Sequence, residues 1–354
     1  MMDSPPIPLV EVTRGGIIES IHFGSITACL ADGSLLLAAG AQKTPFYLRS
    51  ASKPFQALAF LERGGAEEYG LEPEEIALIC ASHFGTDRHM AVLNKLQKKV
   101  GITESMLQCG LHPPHDKETA ERMEKEGVVL HPNRNNCSGK HTGMLAFAKM
   151  IGAPLETYLE PGHPVQEAIL QTHAEMCGLP VEEMITGEDG CSAPVFAVPL
   201  KSAALAYAHL CQPDALEEKR ALACRKITAS MSAHPFMVAG RGAFDTQGMR
   251  VGNGDFITKI GAEGFRGISI LPDKARGFSS AVGICYKISD GDKSLRANSI
   301  IAMAVLEAFG LLDDKKREKL KGYGRRPITN RQNKAVGEIR PSGELVRVLE
   351  RVRQ

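Results

Sequence analysis

The order of apolar patterns along the chain predicts an α/β protein of the α+β kind, with one sheet assembled from both chain ends and helices inserted between. Short strand-like runs open the sequence at Ile17 and Ile18, Ile26 to Leu30 and Leu35 to Ala39. The long middle carries apolar residues at helical spacing, and strand character returns after Gly254. Residues 1–49 and 255–354 are therefore expected to form a sheet domain and residues 50–254 a helical domain, with an active site where the two meet.

Each element has a local reason. Asp32-Gly33 between two apolar runs is a hairpin turn, because glycine reaches the positive φ that such turns need. Helices are expected over Ala51 to Leu61, Pro73 to Ala81 and Asp87 to Val100, then over Gly139 to Ile151, Pro164 to Cys177, Leu200 to Cys211 and Asp214 to Ser232. Gly101, Gly152 and Gly178 stop three of them. In the helix from Leu200, the residues Ala203, Ala204, Tyr207, Ala208 and Cys211 make one buried stripe. Strands follow at Phe256 to Ile260, Gly267 to Leu271 and Ser280 to Ile288. Asp290-Gly291 turns the chain into a helix from Leu295 to Phe309, whose Ile300 to Leu306 could cover the sheet. Val336 and Ile339 suggest a last short strand.

The 354 residues carry 42 Lys+Arg against 41 Asp+Glu, a net charge of +1, so no nucleic-acid or anionic-membrane partner is expected. The longest apolar run is of core-helix length, and the amino terminus lacks a signal-peptide pattern. Nine scattered cysteines, in no framework spacing, fit free thiols in a reduced cytoplasmic setting.

Chemistry is suggested first by Ser50-Ala51-Ser52-Lys53. Serine and lysine one helical turn apart share a face, and a desolvated lysine can take a serine proton. Ser82 stands where a helix runs out into His83-Phe84-Gly85, and Lys259 precedes Ile260-Gly261 on a strand, a K-x-G pattern found beside acyl-serine sites. The glycine there is expected to let substrate approach the backbone. The order of these three pieces, on helix start, helix end and strand, resembles serine β-lactamases and penicillin-binding proteins. Cys137-Ser138-Gly139-Lys140-His141 opens a helix but lacks the glycine and Ser/Thr of a phosphate loop; Cys137 there could be an activated thiolate or an inert buried one. Cys137, Cys191 and Asp189, with Lys140, could surround a zinc ion. Arg241, flanked by Gly240 and Gly242, could clamp a substrate carboxylate.

Six blocks, Arg49 to Gln56, Cys80 to Gly85, Asn136 to Leu145, Gly187 to Pro199, Met237 to Asp245 and Lys259 to Gly264, together resemble the signatures of the bacterial asparaginase II family, the thermolabile, rhizobial-type class of L-asparaginase. The resemblance implies a fold similar to serine β-lactamases and glutaminases, a homodimer, and two Ser-Lys pairs, Ser50 with Lys53 and Ser82 with Lys259. It further implies a zinc site from Cys137, Lys140, Asp189 and Cys191, with Arg49 and His141 lining the pocket. Ile260 stands where a threonine is expected, and Asn298 where a helix-favouring residue is expected.

The expected reaction is hydrolysis of L-asparagine to L-aspartate and ammonia, with Ser50 as nucleophile, Lys53 as base, and Ser82 and Lys259 completing a proton relay. Two ammonium groups so close would repel, which favours one neutral amine. Zinc, if bound, would orient substrate rather than make hydroxide. The alternatives are a penicillin-interacting acyl-serine enzyme, which leaves Asp189 and Cys191 without a role, and a non-catalytic zinc or thiol protein, which leaves the Ser-Lys pairs unexplained.

Overall fold

The computed structural model describes residues 3–273 and 279–353. Strands β1 (Ile7–Arg14), β2 (Ile17–Leu30) and β3 (Leu35–Ala39) begin the chain, and β4 (Pro45–Tyr47) follows. A helical stretch comes next: α1 (Lys53–Leu61), α2 (Gly65–Glu68), α3 (Pro73–Ile79), α4 (Asp87–Val100), α5 (Lys117–Lys125), α6 (Ser138–Met150) and α7 (Pro164–Cys177). Then β5 (Ile185–Glu188) and β6 (Pro194–Pro199) lead into α8 (Leu200–Cys211), α9 (Glu218–Ala233), α10 (Pro235–Val238) and α11 (Phe244–Gly252). The chain closes with β7 (Phe256–Gly261), β8 (Phe265–Ile270), β9 (Val282–Ile288), α12 (Asn298–Ala308), α13 (Asp314–Leu320), β10 (Arg326–Thr329), β11 (Ala335–Pro341) and α14 (Gly343–Glu350).

The main sheet runs β10-β11-β1-β2-β9-β8-β7, with β3 also on β2, and every pairing is antiparallel. Strands from both chain ends share it, as the sequence predicts. The two apolar runs at Ile17 and Ile26 are one long strand; the polar residues between them lie on its more exposed half. The middle is less purely helical than expected, because β5 and β6 pair with β4 in a small separate sheet.

Side-chain alternation shows how the main sheet is covered. On β9 and β8, Gly283 and Gly267 face α8, while Tyr286 and Arg266 face the start of α12. Both faces are thus buried, and β8 has no exposed residue. The small stripe of α8, Ala203, Ala204 and Ala208, lets that helix lie against the sheet backbone: a Cβ on Gly283 would fall under 3.0 Å from the Ala204 carbonyl oxygen. Tyr207 from the same helix fills the space over Gly267 and donates to the Ala51 carbonyl at 2.7 Å. That bond ties α8 to the turn carrying Ser50. No helix among the described residues is long and apolar enough to cross a membrane.

Candidate active site

Three chain segments meet at Ser82. Its own segment leaves α3 extended, held by hydrogen bonds from Ser82 N–H to Val238 O at 3.0 Å and from Phe84 N–H to Ala239 O at 2.7 Å. His83 turns inward, its Nε2 2.8 Å from Ser138 Oγ, and burial pushes its pKa well down, so the ring stays neutral. These bonds leave the Ser82 side chain half-buried and aimed at two lysines.

Lys53, at the first position of α1, and Lys259, on β7, are 1% and 0% exposed. A lysine so deep needs acceptors for its ammonium hydrogens. Lys53 Nζ donates to Ala81 O at 2.7 Å and to Ser82 Oγ at 2.9 Å, with Asn136 O at 3.5 Å. Lys259 Nζ donates to Ser82 Oγ and to Ile260 O, each at 3.0 Å. Both lysines therefore converge on one hydroxyl. Burial pushes Lys259 from 10.5 down to about 7; Asp245 opposes that, while the charges of Lys53 and Arg266 add to it. The expected neutral amine of the pair is Lys259.

Ser50 lies in the 3-10 turn Arg49–Ser52 that precedes α1. Its side chain is half-buried, and among the described residues it has no hydrogen bond to Lys53. The lysine amine bonds instead to Ala81, Ser82 and Asn136. Ser52, the other serine of the motif, is buried with its hydroxyl on Arg49 O at 2.8 Å. Arg49 itself holds φ at +51°, a left-handed conformation unusual for a side-chain-bearing residue. Its Nε donates to Asp189 Oδ1 at 2.7 Å. Gly261 serves differently from expectation: a Cβ there would strike the Leu48 carbonyl, so the glycine lets β7 approach the serine turn rather than a substrate.

Beneath this layer lie Cys137, Lys140, His141 and Cys191, all buried. Lys140 Nζ donates to Cys191 Sγ at 3.0 Å. Cys137 Sγ donates to Asn136 Oδ1 at 3.1 Å; interaction with this neighbouring sulfur, together with the positive charge of Lys140, pushes the Cys191 thiol down from its ordinary pKa, and Cys137 is pushed up in return. Of the two sulfurs, Cys191 is the one that accepts from the Lys140 ammonium, which favours negative charge there. Burial alone would lower Lys140, but the two sulfurs outweigh it and raise the amine. His141 Nδ1 lies 2.7 Å from the Tyr158 hydroxyl, its Nε2 has no hydrogen-bond partner, and burial lowers its pKa to about 4.

Two expected residues are engaged by other side chains. Asp189 is committed to Arg49, and among the described residues no group of three or more His, Cys, Asp and Glu side chains could hold a metal ion. Arg241 is an exposed residue paired with Glu118 and 3.7 Å from Asp116. Sequence patterns also miss the support behind Lys259. Asp245 Oδ2 accepts from Ile260 N–H at 2.9 Å and lies 3.9 Å from Lys259 Nζ, while Oδ1 accepts from Arg266. Asn298 completes the set with Oδ1 2.6 Å from Arg266 Nε, which explains its place at the start of α12 better than helix propensity does. The available signal is Arg266 itself, a charge inside the apolar run Phe265–Ile270 that demands a buried acid.

Residues 10–341 match the family model described as L-asparaginase II. No curated protein sequence matches the chain. Among solved structures, the chain is similar to a probable glutaminase from Bacillus subtilis complexed with 6-diazo-5-oxo-L-norleucine, at 16% identity over 81% of this chain and 84% of that one, with a TM-score of 0.39. A Bacillus glutaminase crystallised in the presence of 4.3 M NaCl gives 15% identity over 81% and 91% of the two chains, also with a TM-score of 0.39.

Proposed function

The chain belongs to the L-asparaginase II family, amidohydrolases whose model it matches over residues 10–341, and from that premise we propose that it hydrolyses L-asparagine to L-aspartate and ammonia through a serine-bound acyl intermediate. The observation that carries the mechanism is Ser82 Oγ between Lys53 Nζ and Lys259 Nζ, at 2.9 and 3.0 Å, with Lys259 titrating near neutrality.

A hydroxyl has two lone pairs and one proton. When both lysines donate, Ser82 has its own hydrogen free to give. When Lys259 is neutral, it accepts that hydrogen, and Ser82 can take one from Lys53. A proton can therefore pass from Lys53 through Ser82 to Lys259, so that Lys53 acts as base towards Ser50 while the burden falls on the amine whose pKa suits it. Ser50 Oγ attacks the side-chain amide carbon, and its proton enters this relay. Ser82 returns a proton to the amide nitrogen, the C–N bond breaks, and ammonia leaves. Water then attacks the ester on Ser50 as the relay accepts its proton; the ester C–O bond breaks, the relay returns that proton to Ser50 Oγ, and aspartate is released. The contact between Ser50 and Lys53 is required only with substrate bound; such bonds are often loose in the free enzyme.

The Arg49–Asp189 pair supports an α-amino acid as substrate. A guanidinium suits the α-carboxylate and a carboxylate the α-ammonium, and the two lie beside the serine turn. Zinc fits part of the expected ligand set. Cys137, Cys191 and Lys140 offer two sulfurs and an amine, and the unpartnered His141 Nε2 lies nearby, whereas Asp189 is taken by Arg49. A zinc ion held there would supply fixed positive charge to orient substrate.

The test is ammonia release from asparagine, glutamine and other amides, with a diazoketone analogue of asparagine to mark the nucleophile. Ammonia from asparagine and a label on Ser50, absent in Ser50→Ala, are expected. A label on Ser82 in an active Ser50→Ala would exchange the serine roles, a reading favoured by the direct bond from Lys259 to Ser82. Absence of amide hydrolysis would overturn the function.

A further inference from the structure

The twelve largest fully buried side chains include three cations, Lys53, Lys259 and Arg266. The relay uses the lysines, but nothing so far gives the arginine a task. Burying a guanidinium is costly unless it is paired and fully hydrogen-bonded. Arg266 is paired with Asp245, donating to its Oδ1, and donates also to Asn298 Oδ1 at 2.6 Å and to Thr258 Oγ1 at 2.8 Å; it stands over the Phe244 ring at 4.8 Å. Asn298 is fixed in turn, since its N–H reaches Asp292 Oδ2 at 2.8 Å and its carbonyl accepts from Tyr286 at 2.6 Å.

Asp245 stands at the free edge of β7, where the Ile260 N–H would otherwise lack a partner, and is 1% exposed. Its nearest second cation is Lys259, at 3.9 Å. That distance is too long for a direct hydrogen bond but close enough for strong attraction in a buried setting. We propose that Asp245 and Arg266, locked by Asn298, are positioning residues that hold the Lys259 amine on Ser82 by dividing the Asp245 charge between two cations. The proposal deepens the amidohydrolase reading and rests on it for its catalytic meaning.

The geometry explains why both members are needed. An unshared carboxylate would draw Lys259 Nζ off Ser82 into a tight ion pair and keep it protonated, which would end its use as a base. Without any carboxylate, Lys259 would face only Lys53 and Arg266 and lose its proton too readily to return one. Arg266 takes one carboxylate oxygen and Ile260 N–H the other, so Lys259 feels the charge without being captured. The charged and titratable groups facing Lys259 are Asp245 from α11, Arg266 from β8, Lys53 from α1 and Cys137 at the start of α6.

The two halves make opposite predictions, which a merely structural role would not. Lys259 is followed in protein carrying 13C-labelled lysine, its resonance identified by its loss in Lys259→Met. Asp245→Asn should move its titration, and the acidic limb of the pH–rate profile for amide hydrolysis, down by about 1–2 pH units. Arg266→Gln should move both up by a similar amount. Asn298→Ser, a milder change that loosens Arg266, should give a smaller upward move and decides the matter if Arg266→Gln does not fold. Shifts in the same direction in Asp245→Asn and Asn298→Ser, or no shift in either, would overturn the proposal. The resonance is read without substrate, so a failure of asparagine hydrolysis would leave this result standing by itself.

Discussion

Replacing Lys259 by methionine should destroy activity and yet change stability in a manner that depends on pH. The folded chain holds this lysine at about 7, while in the unfolded chain it returns to 10.5. Below 7 both states carry the proton, and above 10.5 neither does. Between those limits the unfolded chain binds one proton more, so the wild-type protein gains stability as pH rises, by about 1.4 kcal/mol per pH unit. Over the whole window that amounts to roughly 5 kcal/mol, the order of the penalty for burying the ammonium. Methionine has a similar length and no proton. Lys259→Met should therefore be most favoured relative to wild type near neutral pH and lose that relative advantage at about 1.4 kcal/mol per unit towards pH 9. Its lost bonds to Ser82 and Ile260 offset the comparison without giving it a slope. Urea unfolding of both proteins at several pH values between about 7 and 9 measures the difference. Amide hydrolysis should fall by at least about a hundredfold at every pH. A stability difference that stays flat across this range would refute the reasoning, because it would mean that Lys259 keeps its proton when folded.

Three further outcomes follow from other parts of the structure. Gly283→Ala should cost at least about 3 kcal/mol or prevent soluble folding, since its Cβ would collide with the backbone of Ala204 and Ala208; thermal unfolding checks it. Arg241→Ala should leave the KM for asparagine within about twofold of wild type, because Arg241 is exposed and its close partner, Glu118, is a surface carboxylate; a rise of about tenfold or more would return it to the substrate site. Cys191→Ser should lower zinc content by elemental analysis and raise KM more than it lowers kcat. Wild-type protein that holds no zinc and works fully in chelator would reduce the buried thiols to packing.

The sheet from both chain ends is legible because its strands carry continuous apolar runs, and α4, α7 and α8 are legible to the residue because their caps are local. Thr86 and Gly101 bound α4, and Pro164 and Gly178 bound α7. β1, α5 and α11 were not foreseen. The first contains Glu11 among apolar residues, with Pro5 and Pro6 just before it and Pro8 within it, the second is nearly all polar, and the third is broken by Gly248. The conformation of β1 depends partly on a partner far away in sequence, β11, with which it pairs on the side opposite β2.

The site shows the same division between local and distant information. Residue types that chemistry requires, two serines and two lysines, can be named from short motifs. Which lysine meets which serine cannot, because Lys53 is drawn to Ala81 and Ser82 by acceptors that the i,i+3 spacing does not contain. The same holds for Cys191, whose sulfur accepts from Lys140, 51 residues away. Asp245 and Arg266 are hidden for a further reason: each alone is an ordinary charged residue, and only their juxtaposition makes burial tolerable. Buried charges cost stability, so a chain keeps a cluster of Lys53, Lys259, Arg266 and Asp245 at 0–2% exposure only if hydrogen-bond partners and opposite charge surround them. Removing one member should therefore alter the charge state of those left behind, and the opposed shifts expected for Asp245→Asn and Arg266→Gln are the direct consequence.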